Sequence, residues 1–204
     1  MANTTNNRKR NFSRATRTHD SFDKTRQYQP LPQNIMIIIN TGNGKGKTTA
    51  AFGQALRASG QNLRVVIIQF IKGAWQTGET KAVHRNLPHI EIHISGTGFT
   101  WEAENKQEVI EAGREGWNLA RGKILSGKYD LVVLDELTYL IQYGIISEAE
   151  VLGVLAERPP GTHIVITGRD APPGLIAVAD LVTEMREIKH PFAQGTKGCQ
   201  GIEF

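Results

Sequence analysis

The segment IMIIINTGNGKGKTTAAFG, residues 35–53, constrains this chain more than any other. An apolar run rich in β-branched residues, IMIII at 35–39, reads as a strand buried on both faces of a parallel sheet. A glycine-rich turn follows, then TTAAFGQALRASG, a helix expected to stop at Gly60. Strand, glycine turn and helix in that order make a phosphate-binding loop. The backbone N–H groups of Gly42, Asn43, Gly44, Lys45, Gly46, Lys47 and Thr48 can ring phosphates, with Thr41 and Thr49 at the edges of the loop. Lys47 can neutralise phosphate charge and Thr48 can ligate Mg²⁺ or Mn²⁺. The usual pattern is G-x-x-x-x-G-K-[ST], and its first glycine position holds Thr41 here. A purely structural glycine turn is the competing reading, and the flanking strand and helix argue against it.

Strand and helix patterns alternate through the rest of the chain. LRVVIIQF (63–70), YDLVVLDEL (129–137), THIVITG (162–168) and LVTEMRE (181–187) read as strands. HIEIHI (89–94) is short and alternating, as expected of a sheet edge. Residues 102–126 read as a long helix despite Gly113, Gly116 and Gly122. SEAEVLGVLAERPPG reads as a helix capped by Ser147, and a short helix is expected after Pro172–Pro173. The pattern predicts an α/β fold, a mostly parallel sheet of about six strands with helices on both faces. The expected division is residues 1–33 as a basic, flexible arm and 34–204 as the nucleotide-binding domain.

Two further strand ends bear on chemistry. A carboxylate at the end of a buried strand is where a phosphate-loop protein places its Mg²⁺-organising group, so Asp135 and Glu136 are the metal candidates with Thr48. In a hydrolase the adjacent glutamate would align water, so Glu136 keeps that chemistry open. ITGRD (166–170) ends another strand on the ligand side of the sheet. Arg169 there either touches phosphate or pairs with Asp170.

Composition narrows the class. With 204 residues, 39% of them hydrophobic, the chain holds one ordinary domain. Residues 1–33 carry seven of the 24 basic and two of the 20 acidic residues, which leaves the remainder one charge on the acidic side. The formal charge of +4 therefore belongs to the arm. A solvated segment, a nucleic-acid contact, a cover over an anionic site and a weak organelle-targeting resemblance are its possible uses. No apolar window is long enough to span a bilayer and no signal-peptide pattern opens the chain. The single cysteine, Cys199, excludes an internal disulfide and a cysteine-based zinc site, and a reducing, cytoplasmic setting fits best.

Other signals carry less. NKQE (105–108) has the letters of a guanine-reading motif but opens a helix. His89, Glu91 and His93 share a strand face, where an exposed polar surface competes with a metal site and is the preferred reading. SGTGFTWE (95–102) is harder to dismiss, because Phe99 and Trp101 follow a Gly-Thr-Gly turn on the ligand side of the sheet. By composition alone it is an aromatic lid.

Taken together, TGNGKGKTTAAFG, VVIIQFIKG, GTGFTWE, LVVLDELTYLI, ITGRD and KHPFAQGTKGCQGIEF resemble the phosphate-loop family of ATP:corrinoid adenosyltransferases, from about residue 35 onward. The resemblance implies a RecA-like P-loop fold, usually a homodimer. It also implies ATP and a reduced corrinoid (cobalamin, cobinamide or cobyrinic acid a,c-diamide) as substrates, with Mg²⁺. It implies that the bond broken lies between C5′ of the ribose and the triphosphate, with Co(I) as the nucleophile and an electron donor supplying it. The nucleotide then lies reversed in the loop relative to hydrolases. Phe99 and Trp101 match the family's aromatic pair, implicated in moving the corrinoid's lower ligand off cobalt. The module signature D-x-H-x-x-G is absent, so a transient corrinoid substrate fits better than a permanently held one.

The alternative is a RecA-like ATPase using its basic arm on nucleic acid. The near-neutral body, with no basic stripe interleaved with aromatics, disfavours it. A small-molecule phosphotransferase would carry an arginine-rich lid, and residues 71–86 hold only Lys72, Lys81 and Arg85.

Overall fold

The computed structural model describes residues 35–71, 77–96, 106–191, 195 and 198–202. The basic stretch 1–33 and the aromatic pair Phe99 and Trp101 lie outside the described residues.

Six strands form one sheet: β1 (Ile37–Thr41), β2 (Val65–Gln69), β3 (Ile90–Ile94), β4 (Leu131–Asp135), β5 (His163–Thr167) and β6 (Leu181–Glu184). Their order is β3-β2-β4-β5-β1-β6, and every pairing is parallel. The helices are α1 (Lys47–Ser59), α2 (Gly78–Asn86), α3 (Lys106–Leu125), α4 (Leu137–Gln142), α5 (Glu148–Glu157) and α6 (Pro173–Val178).

Each central strand is apolar on both sides because helices cover both sides. Val132, Leu134, Ile164 and Ile166 pack with Trp117, Leu140, Val151 and Leu155 of α3, α4 and α5. Leu131, Val133 and Val165 point the other way, onto Ala51, Phe52 and Ala55 of α1 and Val83 of α2. β3 is an edge, as its alternation suggested, and β6 is the opposite edge with all four residues exposed.

The parallel arrangement delivers the C-terminal ends of β1, β2, β4 and β5 to one rim. Register places Gln69 beside Asp135 and Asn40 beside Thr167 there. Strand β5 separates the strand that enters the glycine loop from the strand that ends in Asp135. That separation is consistent with the RecA-like arrangement.

Two elements depart from the sequence reading. The strand expected over 129–137 ends at Asp135, and Leu137 begins a helix instead. Glu136 takes a left-handed conformation, φ 66°, which breaks the strand without a glycine or proline. Helix α2 occupies 78–86, where no element was assigned.

Candidate active site

The site begins with a helix end that the protein leaves unsatisfied. Helices α2 and α5 are capped by Thr77 and Ser147, whose hydroxyls accept from the N–H groups of Thr80 and Glu150, and both carry acids in their first turn. Helix α1 has neither: Gly46 precedes it at φ 106° with no side-chain cap, and no acidic residue follows. Its orphan amides and the positive end of its dipole face the glycine loop, as an anion site requires.

The loop is braced from behind. Gly44 N–H donates to the Met185 carbonyl at 2.7 Å, and Met185 N–H donates to the Thr41 carbonyl at 2.8 Å. A Cβ on Gly42 would stand 2.4 Å from that Met185 carbonyl oxygen, at a φ of 93° that L side chains rarely adopt. Glycine is required there by backbone contact as well as by conformation. Lys47 Nζ donates to the carbonyls of Gly42 and Gly44 at 2.7 and 2.6 Å. Two of its three donors thus hold the loop, leaving one for a ligand. Burial, then the charge of Arg169, lowers the Lys47 pKa below its ordinary 10.5, with partial offset from Glu136 and Asp170.

Opposite the loop sits a carboxylate with no exposure at all. Asp135 Oδ1 accepts from Thr48 Oγ1 at 3.0 Å and from Thr167 Oγ1 at 2.7 Å, while Oδ2 accepts from Gln69 Nε2 at 2.8 Å. The same Thr167 hydroxyl accepts from Glu136 N–H at 2.8 Å. One hydroxyl therefore orients the buried carboxylate and pins the left-handed turn that presents Glu136. Thr138 Oγ1 and Gln142 Nε2 of α4 both donate to the Arg169 carbonyl at 2.7 Å, fixing the loop after β5.

These parts enclose a cleft of about 580 Å³. Asn43, Gly44, Lys45, Gly46, Lys47, Thr48 and Thr49 line one side and Glu136, Thr167 and Arg169 another. Thr41 and Gly42 lie behind the lining, with Thr41 Oγ1 accepting from Ala171 N–H at 3.2 Å. The two metal-candidate carboxylates are placed differently: Glu136 lines the cleft, whereas Asp135 is fully buried behind Thr48 and accepts from its hydroxyl. Thr167, placed near the site by the sequence along with Arg169 and Asp170, does line it; sequence reasoning missed Thr77, Glu79, Tyr139, Gly168, His190 and Ile202, which complete the lining.

The polar face of β3 has a different occupation. Glu91 accepts from Lys123 and from the Tyr129 hydroxyl and lies beside His93. Among the described residues no group of three or more His, Cys, Asp or Glu side chains is gathered for a metal ion.

The family model for ATP:corrinoid adenosyltransferase BtuR/CobO/CobP matches residues 33–204. The chain belongs to that family. It is 42% identical to the corrinoid adenosyltransferase of Escherichia coli (strain K12), across 94% of this chain and 96% of that protein. It is 41% identical to the corrinoid adenosyltransferase of Pseudomonas aeruginosa, across 86% and 87%. The corrinoid adenosyltransferase CobA of Salmonella typhimurium matches at 41% identity across 94% and 96%. A member of this family has a use for an uncapped helix end, a cationic loop and a cleft bordered by two carboxylates, Glu136 and Glu79.

Proposed function

We infer that this chain transfers the 5′-deoxyadenosyl group of ATP to the Co(I) centre of a corrinoid substrate and releases triphosphate. Family membership supports the reaction, and the single structural observation that carries it is the uncapped α1 terminus joined to Lys47 in a braced loop. Cobalt's electron pair forms the Co–C bond to C5′, the C5′–O bond breaks, and its pair leaves on the triphosphate. Cobalt is the nucleophile, so no general base is needed. The chain's work is to hold C5′ in line and to stabilise the departing anion, and the loop amides and Lys47 suit the second task.

Thr48, Asp135 and Glu136 would hold Mg²⁺. The fit rests on oxygen chemistry: a hydroxyl already tied to a fully buried carboxylate, with a second carboxylate on the cleft. Bound there, the ion supplies charge neutralisation on the triphosphate. Arg169 adds a cation from the β5 loop. Phe99 and Trp101 would exclude a lower ligand from cobalt, which favours formation of Co(I) from Co(II). A homodimer, an electron donor for the corrinoid and a cytoplasmic setting complete the reading. Among the described residues no helix is long and apolar enough to cross a membrane.

The test is anaerobic. Protein, MgATP and chemically reduced cobalamin are combined, the visible spectrum is followed, and phosphate products are separated. The expected result is a light-labile Co–carbon product with triphosphate released in equal amount. ADP and phosphate without a spectral change would make the cleft a hydrolase site.

A further inference from the structure

A buried polar row crosses the sheet beneath the start of α1. Asn40, Thr167, Asp135 and Gln69 stand at the C-terminal ends of the neighbouring strands β1, β5, β4 and β2. All four face the α1 side, because Ile38, Val165, Val133 and Ile67, each two positions earlier on its strand, pack there. All four are buried, and Gln69 is 1% exposed.

The β2 end of the row is chemically uneven. Gln69 Nε2 donates to Asp135 Oδ2 at 2.8 Å, while Gln69 Oε1 is buried with no hydrogen-bond partner among the described residues. The amide cannot be turned the other way, since Oε1 would then face a carboxylate oxygen, acceptor against acceptor. A buried carbonyl without a donor works against stability. Methionine or leucine would fill similar volume without it, as the apolar Val65 and Ile67 do on the same face. What glutamine adds at this position is an N–H on Asp135. We propose that Gln69 is a positioning residue for the cation end of the cleft, acting through Asp135 on Thr48, a deepening that rests on the MgATP reading above.

The chain of contacts is short. Strand pairing sets Gln69 beside Asp135, and backbone bonds continue past both: Phe70 N–H donates to the Asp135 carbonyl at 3.1 Å and Ser95 N–H to the Gln69 carbonyl at 2.7 Å. The hydroxyls of Thr48 and Thr167 meet Asp135 at Oδ1, whereas Gln69 meets it at Oδ2. The terminal torsion of an aspartate is soft, so donors on one oxygen leave the carboxylate plane free to swing. A donor on the other oxygen fixes the plane. With the plane fixed, Thr48 gives its one hydrogen to Oδ1 and turns its lone pairs to the cleft that it lines. Each of these three donors is neutral, so none of them cancels the carboxylate charge that a cation at Thr48 would feel.

The test compares nucleotide binding with and without metal. Titrate the full-length chain with ATP in excess Mg²⁺ and with ATP in EDTA, for wild type, Gln69→Met and Gln69→Leu, and measure the Tm of each chain without ligand. The two variants differ in shape, so a packing fault in one leaves the other to decide. The expected result is that the strengthening of ATP binding by Mg²⁺ shrinks roughly tenfold in both, the scale of losing a partner behind a metal ligand. Affinity for metal-free ATP stays at the wild-type value, and Tm stays close to wild type because the unpartnered carbonyl leaves with the amide. A large Tm loss with the Mg²⁺ effect intact overturns the proposal and makes Gln69 a packing residue. Equal losses with and without Mg²⁺ also overturn it, since the side chain would then be shaping the glycine loop. A wild-type chain that responds to Mg²⁺, with both variants responding alike, overturns this proposal alone. A wild-type chain whose ATP affinity ignores Mg²⁺ overturns the metal reading, and this proposal with it.

Discussion

At the scale of single residues, Lys47 does two things at once. It braces the loop through the Gly42 and Gly44 carbonyls and presents charge to the cleft. Lys47→Ala removes both, and the expected loss is about a hundredfold or more in kcat/KM for ATP, the scale of a preorganised donor lost from a developing anion. Full activity in that variant would remove the loop from the chemistry. Because the Lys47 pKa is lowered, its cation is lost as pH rises, at a value below the ordinary 10.5. Wild-type ATP affinity should fall over that alkaline range, and Lys47→Ala should lack the step. Lys47 was legible from the motif alone. Met185 was not, because it acts through backbone atoms that any residue would supply. Tyr139 was not legible either, since an aromatic inside LDELTYLI reads as core until the helix is seen to turn it outward.

At the scale of elements, the start of α4 and the end of β5 lock together. Thr167 satisfies Asp135 and Glu136 with one hydroxyl, and a Cβ at Gly168 would fall 1.9 Å from Thr138 Oγ1, so the two segments touch without a spare atom between them. The left-handed Glu136 costs about 1 kcal/mol, which the Thr167 hydrogen bond offsets. Thr167→Val keeps the shape and removes the hydroxyl. It leaves a buried carboxylate short of a donor and a part-buried N–H without its acceptor, a loss of about 2 kcal/mol of stability with turnover reduced at least tenfold. Thr167→Ser should recover both in thermal-shift and turnover assays. A Val variant as active as wild type would show that Glu136 holds its place unaided. This lock explains why the sequence reading carried the β4 strand two residues too far. The signal that stops it comes from a side chain on another strand, and no local pattern reports it. The helix was readable by contrast over the described residues 106–125, where two of its glycines serve packing: a Cβ at Gly113 would press on Ile145, and one at Gly116 would meet Ser95 Oγ at 2.1 Å.

At the scale of the whole molecule, the six parallel strands and the helices on both faces followed from the alternation of apolar runs and helical stretches. The order of the strands did not, because nothing local specifies which neighbour a buried strand takes. Acid stability is set in part at the β3 edge. Burial would raise the Glu91 pKa, but hydrogen bonds from Lys123, Tyr129 and His93, with the Lys123 charge, hold it at about 2 against an ordinary 4.5. A depressed carboxylate pKa contributes stability above the unfolded value and loses it as pH falls. Wild type should therefore lose Tm between about pH 4.5 and 2, and Glu91→Gln should flatten that slope while starting from a lower Tm at neutral pH. An unchanged acid slope would mean that the edge cluster is too solvent-screened to matter.

The pairing of β1 also dictates an order of events during synthesis. Among the described residues β1 is the first strand made, yet its sheet neighbours there are β5 and β6, the last two. While the chain is on the ribosome, β2, β3 and β4 can pair as they emerge, whereas β1 must wait for contacts distant in sequence. The glycine loop waits longer still, since the backbone that braces it is Met185. The earliest functional motif to leave the ribosome is thus the last to acquire its shape, and ATP can reward only the finished fold, never the growing one.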